Sequence, residues 1–220
     1  MKMQPMRVSE HLKGWHSRGY HSHLDAVPLV QSVTFRLHDS VPAKLIEKWR
    51  SELSMIPLAS GEDRRMGNVT RHASRSRDAV LRKRIEEYED SGHGECWLRD
   101  PRIAQIMQEA LHHFNGERYH LLEWCVMPNH VHVLMVSAPG HSLSDVIRTW
   151  KTFTAREANR VLGRKGRFWM PDYFDRYVRD EHHLEAARQY IRRNPVKAGL
   201  CESEGQWRWS SAWARDGGSA

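Results

Sequence analysis

The chain has 220 residues, 40% of them apolar, with 34 Lys and Arg against 27 Asp and Glu for a formal charge of +7. That length suits one domain with elaborations or an arm rather than two full domains, and no apolar run approaches the ~18 residues of a membrane span. Neither a secretory signal, a disulfide framework nor a cysteine zinc site is expected, because Met1 to Gly14 has no apolar stretch behind it and Cys96, Cys125 and Cys201 lie far apart; a reducing cytoplasm fits.

Residues 1–28 read as an irregular arm around Gly14, Gly19 and Pro28, with His16, Tyr20 and His21 as candidate base readers. Val33, Phe35 and Leu37 alternate within QSVTFRL, which predicts a strand over 31–37. Pro42 opens a helix of roughly 43–53. The polar, arginine-rich stretch 58–76 reads as a mobile loop, and 77–90 as a charged helix; together they form an insertion near 58–90. Asp100-Pro101 starts a helix through Phe114. YHLLEWCVM, 119–127, is a strand, Pro128-Asn129 a corner, and HVHVLMV, 130–136, the partner strand. Ser142 caps a long helix over 143–161. Residues 167–178 read as an extended segment or hairpin, and 181–193 as a helix that stops at Asn194-Pro195, because the residue before proline disfavours helical geometry. The main domain then spans 29–215, followed by a loose tail, 216–220. Helices between the strands of an antiparallel sheet make an α+β architecture of the ferredoxin-like type, with helices on one face.

His130 and His132 occupy alternate positions of one predicted strand, so both imidazoles project to the same face while Val131, Val133 and Met135 pack on the other. Two such imidazoles can chelate one divalent cation; the plainer alternative is a polar patch on a half-buried strand, and His21/His23 has the same spacing. Downstream, Tyr190 and Asn194 lie four apart on one helix and share a face. They are a candidate nucleophile and a third ligand, or else a packing tyrosine and a capping asparagine.

MPNHVHVLM, RFWMPDYFDRYVRD, YIRRNPVKAGL and RGYHSHLDAVPLVQSVTFRL together resemble the REP-associated tyrosine transposases of bacteria. These are relatives of insertion-sequence transposases within the histidine-hydrophobic-histidine (HUH) nuclease superfamily. The resemblance runs over about Arg18 to Trp213 and is weakest across 58–90. It implies a ferredoxin-like fold and Mg²⁺- or Mn²⁺-dependent cleavage and rejoining of single-stranded DNA beside palindromic hairpins through a 5′-phosphotyrosine. By that resemblance His130, His132 and Asn194 hold the metal and Tyr190 is the nucleophile. Asparagine stands where insertion-sequence relatives usually carry glutamine. Those relatives work as dimers exchanging helices, whereas members of the subfamily resembled here are monomers.

Arginine grips phosphate with paired hydrogen bonds, and tryptophan offers surfaces for unpaired bases. Arg148, Lys151 and Arg156 on the long helix, Arg167 after it, and Arg192, Arg193 and Lys197 around the nucleophile are the candidate DNA contacts. Trp150 and Trp169 are candidate stacking residues. Two other function classes stay open at this point. One is a DNA- or RNA-binding protein of the same fold without catalysis. The other is a hydrolase that activates water at His130 and His132 and forms no covalent adduct.

Overall fold

A computed structural model describes residues 14–17, 22–25, 29–55 and 69–215 of the chain, with side chains over 29–55 and 77–213. Its elements are β1 (Gly14–Ser17), β2 (Ser22–Asp25), β3 (Val30–Arg36), α1 (Ala43–Met55), α2 (Val69–Asp90) and α3 (Pro101–His113), then β4 (Tyr119–Val126), β5 (His130–Ser137), α4 (Leu143–Val161), β6 (Phe174–Tyr177), α5 (Glu181–Lys197) and α6 (Ser211–Arg215). Four strands form one antiparallel sheet in the order β4-β5-β3-β6. The α+β architecture is therefore the one expected, with β5 and β3 at the centre.

The pleat sorts the side chains. Val131, Val133 and Met135 of β5 and Val33 and Phe35 of β3 enter the main core beneath α3 and α4. Ile103, Met107 and Leu111 of α3 and Val146, Ile147 and Trp150 of α4 recur at helical spacing and close that core. Asp100 caps α3 by accepting from Arg102 N at 2.9 Å, and Ser142 caps α4 by accepting from Asp145 N at 3.1 Å. Trp150 and Trp169 are buried, so neither offers a stacking surface; their indole N–H groups donate to Tyr119 Oη and Thr154 Oγ1, each at 2.9 Å.

Helices do not lie on one face only. Ile191, Leu184 and Ala187 of α5 pack with Cys125, Met127 and Leu134, which point away from the main core. The opposite face of the sheet is thus covered by α5. This is also the face to which His130 and His132 project, so the third helix brings Tyr190 and Asn194 to them.

Three boundaries differ from the sequence reading. Within the arm, β1 and β2 pair as a short antiparallel hairpin. Their four-residue polar strands are too short for periodicity to show; Tyr20 and His21, and the side chain of His16, lie outside the described residues. Helix α2 begins at Val69 rather than 77, so part of the expected loop is helical; the arginines of that part are good helix formers but come with no apolar stripe. The rest of that loop, 56–68, lies outside the described residues. Finally, α5 runs through Pro195 to Lys197. Proline cannot donate to the Ile191 carbonyl, but its ring is buried, and Ala198 N and Leu200 N donate to the carbonyls of Asn194 and Pro195 at 2.9 Å. Gly199, at φ 68°, supplies the left-handed residue that ends the helix.

Candidate active site

The β3–β5 register sets the base of the site: Thr34 stands opposite His132 and Arg36 opposite His130. Both imidazoles are buried, and their Nε2 atoms are 2.9 Å apart. What each ring's other nitrogen meets decides what those Nε2 atoms can be.

Asn129 fixes the first ring. Its Nδ2 donates to the carbonyls of Glu89 at 3.1 Å and His93 at 2.9 Å, so its Oδ1 is the atom that faces His130 Nδ1 at 2.7 Å. An amide oxygen only accepts, so His130 carries its proton on Nδ1 and presents a bare lone pair at Nε2. Thr34 Oγ1 lies 2.8 Å from His132 Nδ1 and can accept from it in the same way. Asn194 Nδ2, 3.0 Å from His132 Nε2, then donates to the second bare lone pair. Burial first, then electrostatic repulsion between protonated forms of His130 and His132 and the nearby charges of Lys197 and Arg36, hold His130 well below the ordinary histidine range. Burial, aided by Lys197, takes His132 down to about 3. Both rings are therefore neutral at physiological pH, the form in which imidazole binds a metal.

Around this pair stand three buried polar atoms without hydrogen-bond partners: Asn194 Oδ1, Asp90 Oδ1 and Tyr190 Oη. Buried polar atoms are seldom left unmatched, and such a cluster marks a place where something else is bound. Among the described residues no three His, Cys, Asp or Glu side chains are grouped closely enough to hold a metal. The candidate donors are two imidazoles and one amide instead; the Asp90 carboxylate stands 3.8 Å from His130 Nε2.

Tyr190 meets His132 edge to face, with ring centroids 5.4 Å apart. Burial pushes its phenol well above the ordinary value; Glu86, Asp90 and Glu89 push the same way, and the Asn194 amide pulls back weakly. Those three carboxylates come from the last turns of α2. Glu89, buried beside Arg36 at 3.2 Å, is raised to about 7, chiefly by desolvation. Asp90 is raised by burial and held back by Lys197, which donates to its Oδ2 at 2.6 Å.

The structure thus gathers His130, His132, Tyr190 and Asn194. It does not gather all the expected DNA contacts. Helix α4 lies on the far face of the sheet, so exposed Arg148 and Arg156 do not flank Tyr190; they pair with Asp145 and Glu157. Lys151 is occupied structurally, its ammonium donating to the carbonyls of Met170, Pro171 and Asp172. Arg192 is tied to buried Glu123. Arg167 is exposed after α4. Arg193 and Lys197 are exposed on α5 beside the site. Sequence reasoning missed Thr34, Arg36 and the α2 carboxylates. Strand alternation could have pointed to the first two, but the apolar stripe of α2, Leu81, Ile85 and Tyr88, marks the face that packs with α1 and says nothing of where its carboxylates lie.

A family model described as "Transposase IS200 like" matches residues 75–194, a span that opens within α2 and closes on Asn194. A Haemophilus influenzae protein named for a REP-associated tyrosine transposase is 31% identical over 98 residues, covering 40% of this chain and 55% of that one. The chain thus spans only about half the length of that relative. Among solved structures, a REP-associated tyrosine transposase bound to a REP hairpin shares the fold, with a TM-score of 0.51, 15% identity, and coverage of 90% of this chain and 85% of that one.

Proposed function

Because the chain belongs to the family of IS200-like transposases, DNA-processing enzymes, we propose that it cuts and rejoins single-stranded DNA beside a palindromic hairpin, with Tyr190 as nucleophile. The observation that carries this reading is the placement of Tyr190 and Asn194, from one helix, against two neutral histidines whose Nε2 lone pairs converge. The hairpin partner is inferred from the structural neighbour, which is bound to one.

The two imidazoles and the unmatched Asn194 Oδ1 are the donors that would suit a hard or borderline divalent cation. Mg²⁺ or Mn²⁺ held by His130, His132 and Asn194 would supply the positive field that draws charge from a scissile phosphate and offsets the burial and the carboxylates that keep Tyr190 protonated. Asn129 and Thr34 keep the two rings in the required tautomer. Helix α5 holds the phenol rigidly for in-line attack. The Tyr190 oxygen forms a bond to phosphorus, the bond from phosphorus to the 3′ oxygen breaks, and the phenolic proton passes to that oxygen. A 5′-phosphotyrosine and a free 3′-OH result. The ester keeps the bond energy, so attack by another 3′-OH reverses the step and joins strands without ATP.

The test is a denaturing gel of a labelled, hairpin-flanked strand incubated with Mn²⁺. Wild type should give a covalent adduct; Tyr190→Phe and His130→Ala/His132→Ala should bind the strand and give none. An adduct formed by Tyr190→Phe would defeat the assignment, and metal-dependent cleavage without any adduct would favour hydrolysis by water.

A further inference from the structure

Residues 167–180, RFWMPDYFDRYVRD, supply no side chain to the histidine pair. Strand β6 within them nevertheless turns two residues to the same face of the sheet. Phe174 stands opposite Thr34 and Arg176 opposite Ser32, and Thr34 stands opposite His132 in turn. Directly paired residues share a face, so Phe174, Thr34 and His132 form one row across three strands. Two strand spacings, about 10 Å, separate the ends of that row.

Helix α2 lies over this row. Arg82, Glu86 and Glu89 recur at helical spacing and line one open cleft with Thr34, Arg36 and Phe174. The charge of that stripe changes sign along the helix. Glu89 pairs with Arg36 beside the histidines, whereas Arg82, one turn before Glu86, stands over the Phe174 ring at 4.9 Å from its centroid. Arg176 approaches the same ring at 6.0 Å. Two guanidiniums from different elements thus converge on one aromatic ring, which fixes their place by cation–π attraction. Among the described residues neither forms an ion pair or a side-chain hydrogen bond; Asp78 and Glu86 only offset the charge of Arg82 electrostatically. Burial, and then the charge of Arg176, hold the Arg82 guanidinium below its ordinary value. Two like charges gathered in this way repel, and an anion lying between them removes the repulsion.

A phosphodiester has the matching chemistry. Each guanidinium can direct a pair of N–H donors at its free oxygens. Arg82 is half-buried and Arg176 exposed, so one arginine is held firmly while the other meets solvent and the incoming strand. We infer that Arg82 and Arg176 clamp a backbone phosphate of the single strand, one that flanks the scissile phosphate, and thereby hold the strand in register over Tyr190. This rests on the reading of the site as a single-strand nuclease. The clamp takes phosphate rather than a base edge, so it positions the strand and reads no sequence.

The experiment is a methylphosphonate scan. A labelled, hairpin-flanked strand carries one uncharged methylphosphonate linkage at a time, through the single-stranded flank and through the stem, and its binding to the full chain is followed by fluorescence anisotropy. Wild type should lose affinity at a linkage in the flank beside the cleavage position. Arg82→Gln/Arg176→Gln should bind more weakly and be indifferent to that linkage. Its slope of log affinity against log salt should be smaller by about 0.7, the share of one phosphate on a single strand. Arg176→Ala, at an exposed position that does not threaten folding, should lose part of the sensitivity at the same linkage. A wild-type slope and interference pattern in the double variant would overturn the clamp. So would a lowered thermal midpoint with unchanged slope, which would reduce both arginines to packing on Phe174, and so would interference confined to the stem. Failure of wild type to bind any strand would sink the clamp and the nuclease reading together. Clamp-dependent binding without a Tyr190 adduct would leave the clamp standing and sink only the nuclease reading beneath it.

Discussion

Glu123 on β4 accepts from Arg192 Nη2 at 2.6 Å, two residues along α5 from Tyr190. The carboxylate is fully buried, and its second oxygen accepts from Ser211 Oγ of α6 at 2.7 Å. The helix that carries Tyr190 and Asn194 is thereby anchored to the sheet and to the C-terminal segment through one charge. Glu123→Gln keeps the shape but replaces a charge-assisted acceptor, and should cost about 1–3 kcal/mol in urea denaturation. Glu123→Ala should cost about 3–5 kcal/mol, because it leaves a part-buried guanidinium without its partner. Unchanged midpoints in both variants would show that α5 is held by its apolar contacts alone.

Tyr190 presents the opposite case. Its hydroxyl is buried, has no partner, and sits among carboxylates that disfavour its ionisation. Tyr190→Phe removes that unmatched oxygen and leaves the ring contact with His132 in place. We expect the variant to be as stable as wild type or more stable, by up to about 1 kcal/mol, while losing adduct formation. A thermal midpoint several degrees below wild type would mean that the hydroxyl has a structural partner.

The sheet and most helices were legible because their apolar residues follow strand or helix periods closely: Val131, Val133 and Met135 announce one strand face, and Ile103, Met107 and Leu111 one helix stripe. The histidine pair was legible for the same reason, since alternation alone puts His130 and His132 on one face. Where tertiary packing overrode local preference, the sequence misled. Proline disfavours helix at Asn194, but burial of the ring carried α5 through it. Basic residues on α4 looked like neighbours of the site because they are close in sequence, whereas the sheet stands between them and Tyr190. The α2 carboxylates were invisible as site residues because the apolar stripe of that helix, Leu81, Ile85 and Tyr88, packs with Ile46 and Leu53 of α1, and nothing in the sequence says that the charged face beside it meets the sheet.

Acid should destabilise the protein through His132. Its folded value is about 3, against about 6.5 for an unperturbed histidine. Between those values the unfolded chain binds a proton that the folded chain refuses, so stability is intact above about pH 6.5 and falls as pH drops toward 3. From pH 6.5 to 5 this single group amounts to about 2 kcal/mol. With chelator present to keep metal out, urea denaturation at pH 7.5 and 5.0 should show wild type losing more stability than His132→Asn, which cannot protonate. Equal losses in the two proteins would mean that the folded state accepts a proton on His132 near the ordinary value.

Binding of single-stranded DNA should depend on salt through α5 rather than α4. Arg193 lies three residues from Tyr190 on α5, so the two side chains neighbour each other; its guanidinium is 70% exposed, and the nearest acid, Glu204, is 3.8 Å away. Arg148 is equally exposed, at 71%, but projects from α4 on the far side of the sheet and already pairs with Asp145 at 2.8 Å. A contact to one phosphate contributes about 0.7 to the slope of log affinity against log salt for a single strand. Arg193→Ala should therefore lower the measured slope by roughly that amount and weaken binding most at low salt. Arg148→Ala should leave slope and affinity within error of wild type. Fluorescence anisotropy with a labelled hairpin strand across a salt series decides between the faces. A reduced slope in Arg148→Ala, with none in Arg193→Ala, would place the DNA on the α4 side and away from the candidate nucleophile.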